Sequence, residues 1–223
     1  MTQPQRDPTT FCEAPAAYIV ETYFVLRMVI AVGAIGLPVA LVGWAAVDPE
    51  PAAAVTSLSA FYYTPARGLF VGTLVAIGVA LVAYRGYTRG ENRLLNAAGT
   101  LAMVAALCPT EDPASPGATP VSVVHAVAAA AFFVLAALSI FFYGQQTLGS
   151  IPDPGLRGRY RTGYRILVAL VLLFPAAALL IAWLMDSTTA LLLVETGALF
   201  ALGAFWMVKT YELSRSHVRV KVV

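Results

Sequence analysis

Long stretches without charged side chains dominate this sequence. Apart from Arg27 and Arg165 near the ends of their stretches, five of them contain no charged residue, and a sixth contains only Glu195. A helix needs about 20 residues to cross about 30 Å of hydrocarbon, so the pattern predicts an all-α membrane protein, a bundle of six transmembrane helices. The second and third spans are short. The approximate bounds are residues 23–47, 68–84, 94–108, 121–143, 165–185 and 188–208.

The composition independently excludes an ordinary soluble domain. Hydrophobic residues make up 59% of the 223 residues and charged residues 12%, against about 45–50% and about 25% in soluble proteins. Lipid must therefore cover much of the apolar surface. The net charge of +2, with basic residues at the span ends, predicts no nucleic-acid partner.

Basic residues predict the orientation of the spans. Cytoplasmic loops of membrane proteins carry an excess of Lys and Arg. Here the excess follows the second, fourth and sixth spans, in residues 85–93, 157–165 and 209–221. Both termini are therefore expected in the cytoplasm of a prokaryote. Residues 1–22 are predicted to be a cytoplasmic segment, 23–208 the transmembrane domain in the plasma membrane, and 209–223 a cytoplasmic tail.

Small residues recur at helical spacing in the first two spans. Gly68, Gly72, Ala76 and Ala80 form a ridge on one face of the second span, and a similar ridge starts at Gly33 in the first. Such ridges let transmembrane helices approach closely. We expect the two spans to pack tightly within the chain. The alternative is a homo-oligomer that uses the face of Gly68, Gly72 and Ala76.

Four parts of the chain place polar groups near the outer side of the membrane. A carboxylate such as Glu195 is costly in hydrocarbon unless it is paired or faces a cavity. His125 lies near the start of the fourth span, Arg67 at the outer end of the second, and Tyr62 and Tyr63 just before it. We expect these groups to converge in a pocket, with Arg67 pairing with Glu195. The alternative is that Glu195 only bridges helices.

Three classes of function fit this set of residues. The leading hypothesis is a non-enzymatic protein that binds or organises a membrane lipid through Arg67, His125, Glu195, Tyr62 and Tyr63. One alternative is a metal-independent lipid hydrolase or acyltransferase, with His125 as general base and Glu195 orienting it. This enzyme would need His125 within hydrogen-bond reach of Glu195 or of a serine hydroxyl in residues 57–59. Another alternative is a small-solute transporter. No metal or cofactor is expected from the sequence.

Several short segments carry a resemblance to a known group of proteins. They are SLSAFYYTPARGLFVGT at residues 57–73, YRG at 84–86, AALCPTEDP at 105–113 and VHAVAAAAFFV at 124–134. Together they resemble a bacterial six-span membrane family of unknown function. That family is similar to the superfamily of the damage-regulated autophagy modulators and the FRAG-type GPI-remodelling proteins. The resemblance implies a lipid-related role and a functional His125.

Overall fold

The computed structural model describes residues 9–49, 55–115, 117–185 and 189–215. Within these residues the chain forms six α-helices and two short 3-10 helices, which confirms the all-helical class. We number the α-helices α1 (Thr9–Val47), α2 (Arg67–Ala83), α3 (Arg89–Leu107), α4 (Pro120–Tyr143), α5 (Pro154–Met185) and α6 (Thr189–Arg215). The 3-10 helices are η1 (Ser59–Tyr63) and η2 (Gln146–Ser150).

Four segments of the described chain are long and apolar enough to cross a membrane. They are Val20–Val47 in α1, Pro120–Ser150 in α4 and η2, Pro154–Ala177 in α5 and Leu191–Ser214 in α6. Helix α2 is apolar but has only 17 residues. The prediction of a protein with several apolar membrane-crossing helices is therefore confirmed for four of the six expected spans.

The helix ends follow local capping signals in the sequence. Thr88 accepts a hydrogen bond from the Glu91 amide at the start of α3. At the start of α4, Thr119 and Ser122 form a reciprocal capping box, and Pro120 occupies the first turn. These side chains satisfy amide groups that have no partner inside the helix. These caps therefore fix the direction in which the loops before α3 and α4 join their helices.

The six helices form an up-and-down bundle in which chain neighbours pack together, and α1 packs against α6 to close the ring. Glycines allow the closest approaches. A Cβ atom on Gly78 of α2 would lie 2.6 Å from the Gly99 carbonyl oxygen of α3. A Cβ atom on Gly203 of α6 would lie 3.0 Å from the Ala31 carbonyl oxygen of α1. These backbones can approach so closely because no side chain separates them.

The small-residue ridge of α2 is divided between two environments. Helices α1 and α2 do pack together, with Gly33 against Ile77, and Ala80 is buried. Gly68, Gly72 and Ala76, in contrast, are exposed on the surface of the bundle. The contact between α1 and α2 therefore involves Ile77, and most residues of the predicted ridge do not take part in it. The homo-oligomer through Gly68, Gly72 and Ala76 stays a prediction.

The first and last helices extend beyond the bounds expected from the sequence. Helix α1 begins at Thr9, within the segment predicted to precede the transmembrane domain, and α6 continues to Arg215. Residues expected in a cytoplasmic tail are therefore part of the bundle. Lys209 and Glu212 are 3% and 0% exposed. The helix continues because these two charges find partners inside the bundle, as described below.

Candidate functional site

A cavity of about 60 Å³ lies at the end of the bundle that contains Glu195, here called the Glu195 end. Most of its walls are apolar, and its polar groups come from Ser59, His125 and Glu195. Glu195 and the lining residues Ala129 and Phe133 are partly exposed, so the cavity reaches the surface of the bundle there. The apolar lining residues are Leu58, Phe70, Leu74, Ala102, Ala105, Ala129, Phe132, Phe133 and Leu199.

Glu195 binds the backbone that precedes η1. Its Oε2 atom accepts a hydrogen bond of 2.5 Å from the Leu58 amide, and Ser59 also interacts with the carboxylate. Amides at the start of a helix lack partners within the helix, and a negative charge is favoured there. Leu58 and Phe61 are 2% and 1% exposed, so the segment is held deep against the bundle. Glu195 thus fixes one wall of the cavity.

His125 binds the end of α3. Its Nδ1 atom lies 2.8 Å from the Ala105 carbonyl oxygen and 2.9 Å from that of Cys108. Both partners are acceptors, so Nδ1 must carry a proton and donate. The Ala105 carbonyl would normally accept from the residue four positions later, but Pro109 has no amide hydrogen. His125 supplies the missing donor, and Nε2 is the nitrogen that can meet a group in the cavity.

Arg67 and the two tyrosines form a separate cluster on the surface of the same end. The Arg67 Nη2 atom donates to the Tyr62 hydroxyl, and its guanidinium lies 4.0 Å from the centroid of the Tyr62 ring. Tyr63 donates a hydrogen bond of 2.7 Å to the Thr110 carbonyl oxygen. Arg67 is exposed. The cluster links η1 to the loop after α3 and leaves a cation at the surface.

The structure brings together some of the predicted site residues and separates others. His125 and Glu195 line the same cavity. The expected ion pair of Arg67 with Glu195 is not formed, because Arg67 contacts Tyr62 and Glu195 contacts the Leu58 amide. The structure therefore places His125 and Glu195 at one cavity, while Arg67, Tyr62 and Tyr63 form the separate surface cluster.

Catalytic contacts of the kind that a hydrolase needs are not formed among the described residues. His125 Nδ1 is committed to two backbone carbonyls. Ser57 and Ser59 bond to each other through their hydroxyl oxygens, 3.0 Å apart. Neither serine is hydrogen-bonded to His125 in the part of the chain that the structure describes. The geometry therefore gives the enzymatic alternative no specific support.

A second polar network, which the sequence did not predict, lies at the opposite end of the bundle, here called the Lys209 end. Lys209 Nζ donates to the Gly144 carbonyl oxygen at 2.8 Å, to Thr147 Oγ1 at 2.5 Å and to Glu212 Oε2 at 2.9 Å. Glu212 also accepts from the hydroxyls of Thr147 and Tyr164. Every charged atom named here has a protein partner, so the network ties η2 and α5 to α6.

Glu91 lies beside this network at the start of α3. It is 7% exposed, and its Oε2 atom accepts a hydrogen bond of 2.7 Å from the Tyr87 amide. Burial raises the pKa of the Glu91 carboxyl, while the Tyr87 amide and the positive charge of Lys209 oppose this effect. Glu91 and Lys209 line a cavity of about 10 Å³, which is near the minimum for one water molecule. This cavity therefore offers no room for a larger ligand.

The buried side chains of α6 between the two ends of the bundle are apolar. Leu199, Leu202, Phe205 and Trp206 of α6 are buried between Glu195 and Lys209. Transporters place polar groups and broken helices along a substrate path near the middle of the membrane. Helix α6 is continuous over this stretch. The structure therefore lends no specific support to the transporter alternative.

Comparison with models of protein families, with curated proteins and with solved structures finds no match to this chain. The resemblance to the six-span family and the FRAG-type superfamily therefore stays a prediction.

We expect Lys209→Met to destabilise the protein by about 3–5 kcal/mol, because Glu212 would then be a buried charge without its cationic partner. Adding Glu212→Gln should restore part of this loss, since the amide oxygen can still accept from Thr147 or Tyr164. Thermal unfolding in detergent measures both effects. Arg93→Met, which removes an exposed charge from the same end, is the control and should change little. A double variant no more stable than the single one would contradict the assigned ion pair.

Proposed function

We propose that the chain is a six-span integral membrane protein of a prokaryotic plasma membrane, with both termini in the cytoplasm. Helices α2 and α3 have 17 and 19 residues, or about 26 and 28 Å at about 1.5 Å per residue. As a pair they lie in the ring between α1 and α4, which are apolar and long enough to span. Their position supports a shared membrane environment. The Glu195 end then faces outward. The arginines at the Lys209 end agree with this orientation, because cytoplasmic loops carry an excess of Lys and Arg.

We infer that the function is to bind a lipid of the outer leaflet through the cavity at the Glu195 end. The observation that carries this proposal is the lining of that cavity. It combines nine apolar side chains with three polar residues and reaches the bundle surface. Ligand sites commonly have apolar walls with a few placed polar groups. A volume of about 60 Å³ is too small for a whole headgroup, so it fits part of an acyl chain.

Arg67 supplies a site for the headgroup above this cavity. Residues spaced by three and seven positions share a face of a helix, and Arg67, Phe70 and Leu74 have this spacing on α2. Phe70 and Leu74 line the cavity. They lie about 4.5 and 10.5 Å along the axis from Arg67, toward the middle of the membrane. A lipid phosphate at Arg67 and Tyr62 would therefore direct its chain toward the cavity.

The polar residues then have distinct roles in the proposed site. Arg67, oriented by Tyr62, meets the anionic headgroup through charge-assisted hydrogen bonds. Glu195 holds the segment before η1 and thereby shapes the wall at Leu58 and Ser59. His125 holds the end of α3, and its Nε2 atom meets an ester or hydroxyl oxygen. Tyr63 fixes η1, which precedes Arg67, to the loop after α3. Arg67 and His125 contact the lipid through polar atoms in this arrangement.

Filling the cavity should weaken lipid retention. Ala129→Leu adds three carbon atoms to a lining position, whereas Ala130→Leu adds the same atoms at the next residue, which is exposed and does not line the cavity. Native mass spectrometry of the purified variants measures the lipids that remain bound. We expect about tenfold less of one lipid class on Ala129→Leu and a wild-type spectrum for Ala130→Leu. Equal retention by both variants would contradict the cavity as the site.

The proposed orientation predicts which loops are accessible from outside the cell. In a chain with Cys12→Ser and Cys108→Ser, a new cysteine at the exposed Ser115 should react with a membrane-impermeant maleimide in intact cells. One at the exposed Thr162 should react only after the cells are permeabilised. Labelling is read as a mass shift on a gel. The reverse pattern, or equal labelling of both positions in intact cells, would show that the orientation is wrong.

A further inference from the structure

Exposed arginines are concentrated at the Lys209 end of the bundle. They lie in two regions of the chain. One region is the α2–α3 loop together with the start of α3, and the other is the first turns of α5. The exposed residues are Arg85, Arg89, Arg93, Arg159, Arg161 and Arg165. The buried network of Lys209, Thr147 and Glu212 holds the start of α5 at this end through Tyr164.

These arginines are not neutralised by the protein in the part of the chain that the structure describes. Among the described residues, the pair of a Lys or Arg nitrogen and a carboxylate oxygen within 4.0 Å is Lys209–Glu212, which includes none of these arginines. The nearby acids are used otherwise: Glu91 is buried against the Tyr87 amide, and Asp153 accepts a hydrogen bond of 2.8 Å from the Gly155 amide. A group with negative charge outside the protein is therefore the natural partner of the arginines.

The start of α5 is a fixed helix that extends beyond the hydrocarbon. The helix has 32 residues, or about 48 Å, against about 30 Å of hydrocarbon. Its stretch without charged residues begins after Arg165, so with that stretch in the hydrocarbon the first three turns would lie at the level of the lipid phosphates. Arg157 donates to the Ile151 carbonyl oxygen at 2.8 Å and connects these turns to η2. The guanidinium groups on them are therefore positioned by a folded element.

Arg161 and Arg165 are the pair best placed to share one anion. Their spacing of four residues puts them on the same side of α5, about 6 Å apart along the axis. Both are exposed. Two guanidinium groups at this distance can bind different oxygens of one phosphate, and arginine suits such bidentate contacts. Anionic lipids of the cytoplasmic leaflet attract basic segments near the membrane surface.

We propose that Arg161 and Arg165 of α5 form a binding site for the phosphate of an anionic phospholipid in the cytoplasmic leaflet. The site is separate from the cavity at the Glu195 end and lies at the opposite end of the bundle. Its assignment to the cytoplasmic leaflet rests on the proposed orientation. The arginine pair itself does not, because binding in detergent is independent of orientation and of the cavity.

A general attraction between basic loops and the membrane would not distinguish these two arginines from the others. The test compares Arg161→Gln/Arg165→Gln with Arg85→Gln/Arg89→Gln. Both double variants remove two exposed positive charges from the same end. Purified proteins are titrated with short-chain phosphatidylglycerol, and with phosphatidylcholine of the same chain length, in native mass spectrometry. Thermal unfolding confirms that both variants are folded.

Wild type should bind phosphatidylglycerol in preference to phosphatidylcholine. The change in α5 should weaken phosphatidylglycerol binding about 30-fold, which corresponds to about 2 kcal/mol at about 1.4 kcal/mol per tenfold. The control variant should stay within about threefold of wild type. Equal weakening in both variants, or none in the α5 variant, would overturn the proposal. Displacement of the lipid by equimolar inorganic phosphate would also overturn it, because the ligand would then be free phosphate.

Discussion

The hydrogen bond from the Leu58 amide to Glu195 is the interaction on which the Glu195 end of this structure depends. It joins the last helix of the ring to the polypeptide segment before η1, across 137 positions of the sequence. In apolar surroundings, an unpaired amide and an unpaired carboxylate are both costly. Each is satisfied by the other, so the segment can lie against the bundle. The wall of the larger cavity then follows from this contact.

The two ends of the bundle use the same principle with opposite hydrogen-bonding groups. Glu195 places an acceptor at the start of η1, and Lys209 places a donor at the end of α4, where it donates to the Gly144 carbonyl oxygen. Both arrangements match the partial charges of helix ends. His125 adds a third case at the end of α3. Polar side chains inside this protein therefore mainly satisfy helix ends, which explains how a largely apolar chain tolerates them.

The sequence predicts the fold class well because hydropathy directly reflects the solvent around each helix. The all-helical class, the approximate positions of the helices and the meeting of His125 with Glu195 follow from span length and depth. The partners of Glu195 and Arg67 do not, because hydropathy contains no information on where a loop backbone lies. One signal was available for His125: Pro109 removes an amide and leaves the Ala105 carbonyl in need of a donor.

The network at the Lys209 end does not follow from the sequence for a different reason. Charges near the end of an apolar stretch usually mark the membrane boundary, so the sequence predicts that Lys209 and Glu212 belong to a tail. Their spacing of three residues, which lets them pair on one helix face, is the sequence feature that could have indicated otherwise. The burial of Thr147 and Tyr164 beside them depends on the packing of α4, α5 and α6. Such packing cannot be read from one sequence.

The central claim is that Glu195 forms the lipid site by holding the segment before η1, not by contributing charge to the lipid. The most direct measurement is native mass spectrometry of wild type, Glu195→Ala and Glu195→Gln with their bound lipids identified. Glutamine keeps an oxygen that can accept from the Leu58 amide, so this variant should retain the same lipid class as wild type, and alanine should lose it. Retention by Glu195→Ala equal to that of wild type would contradict the claim.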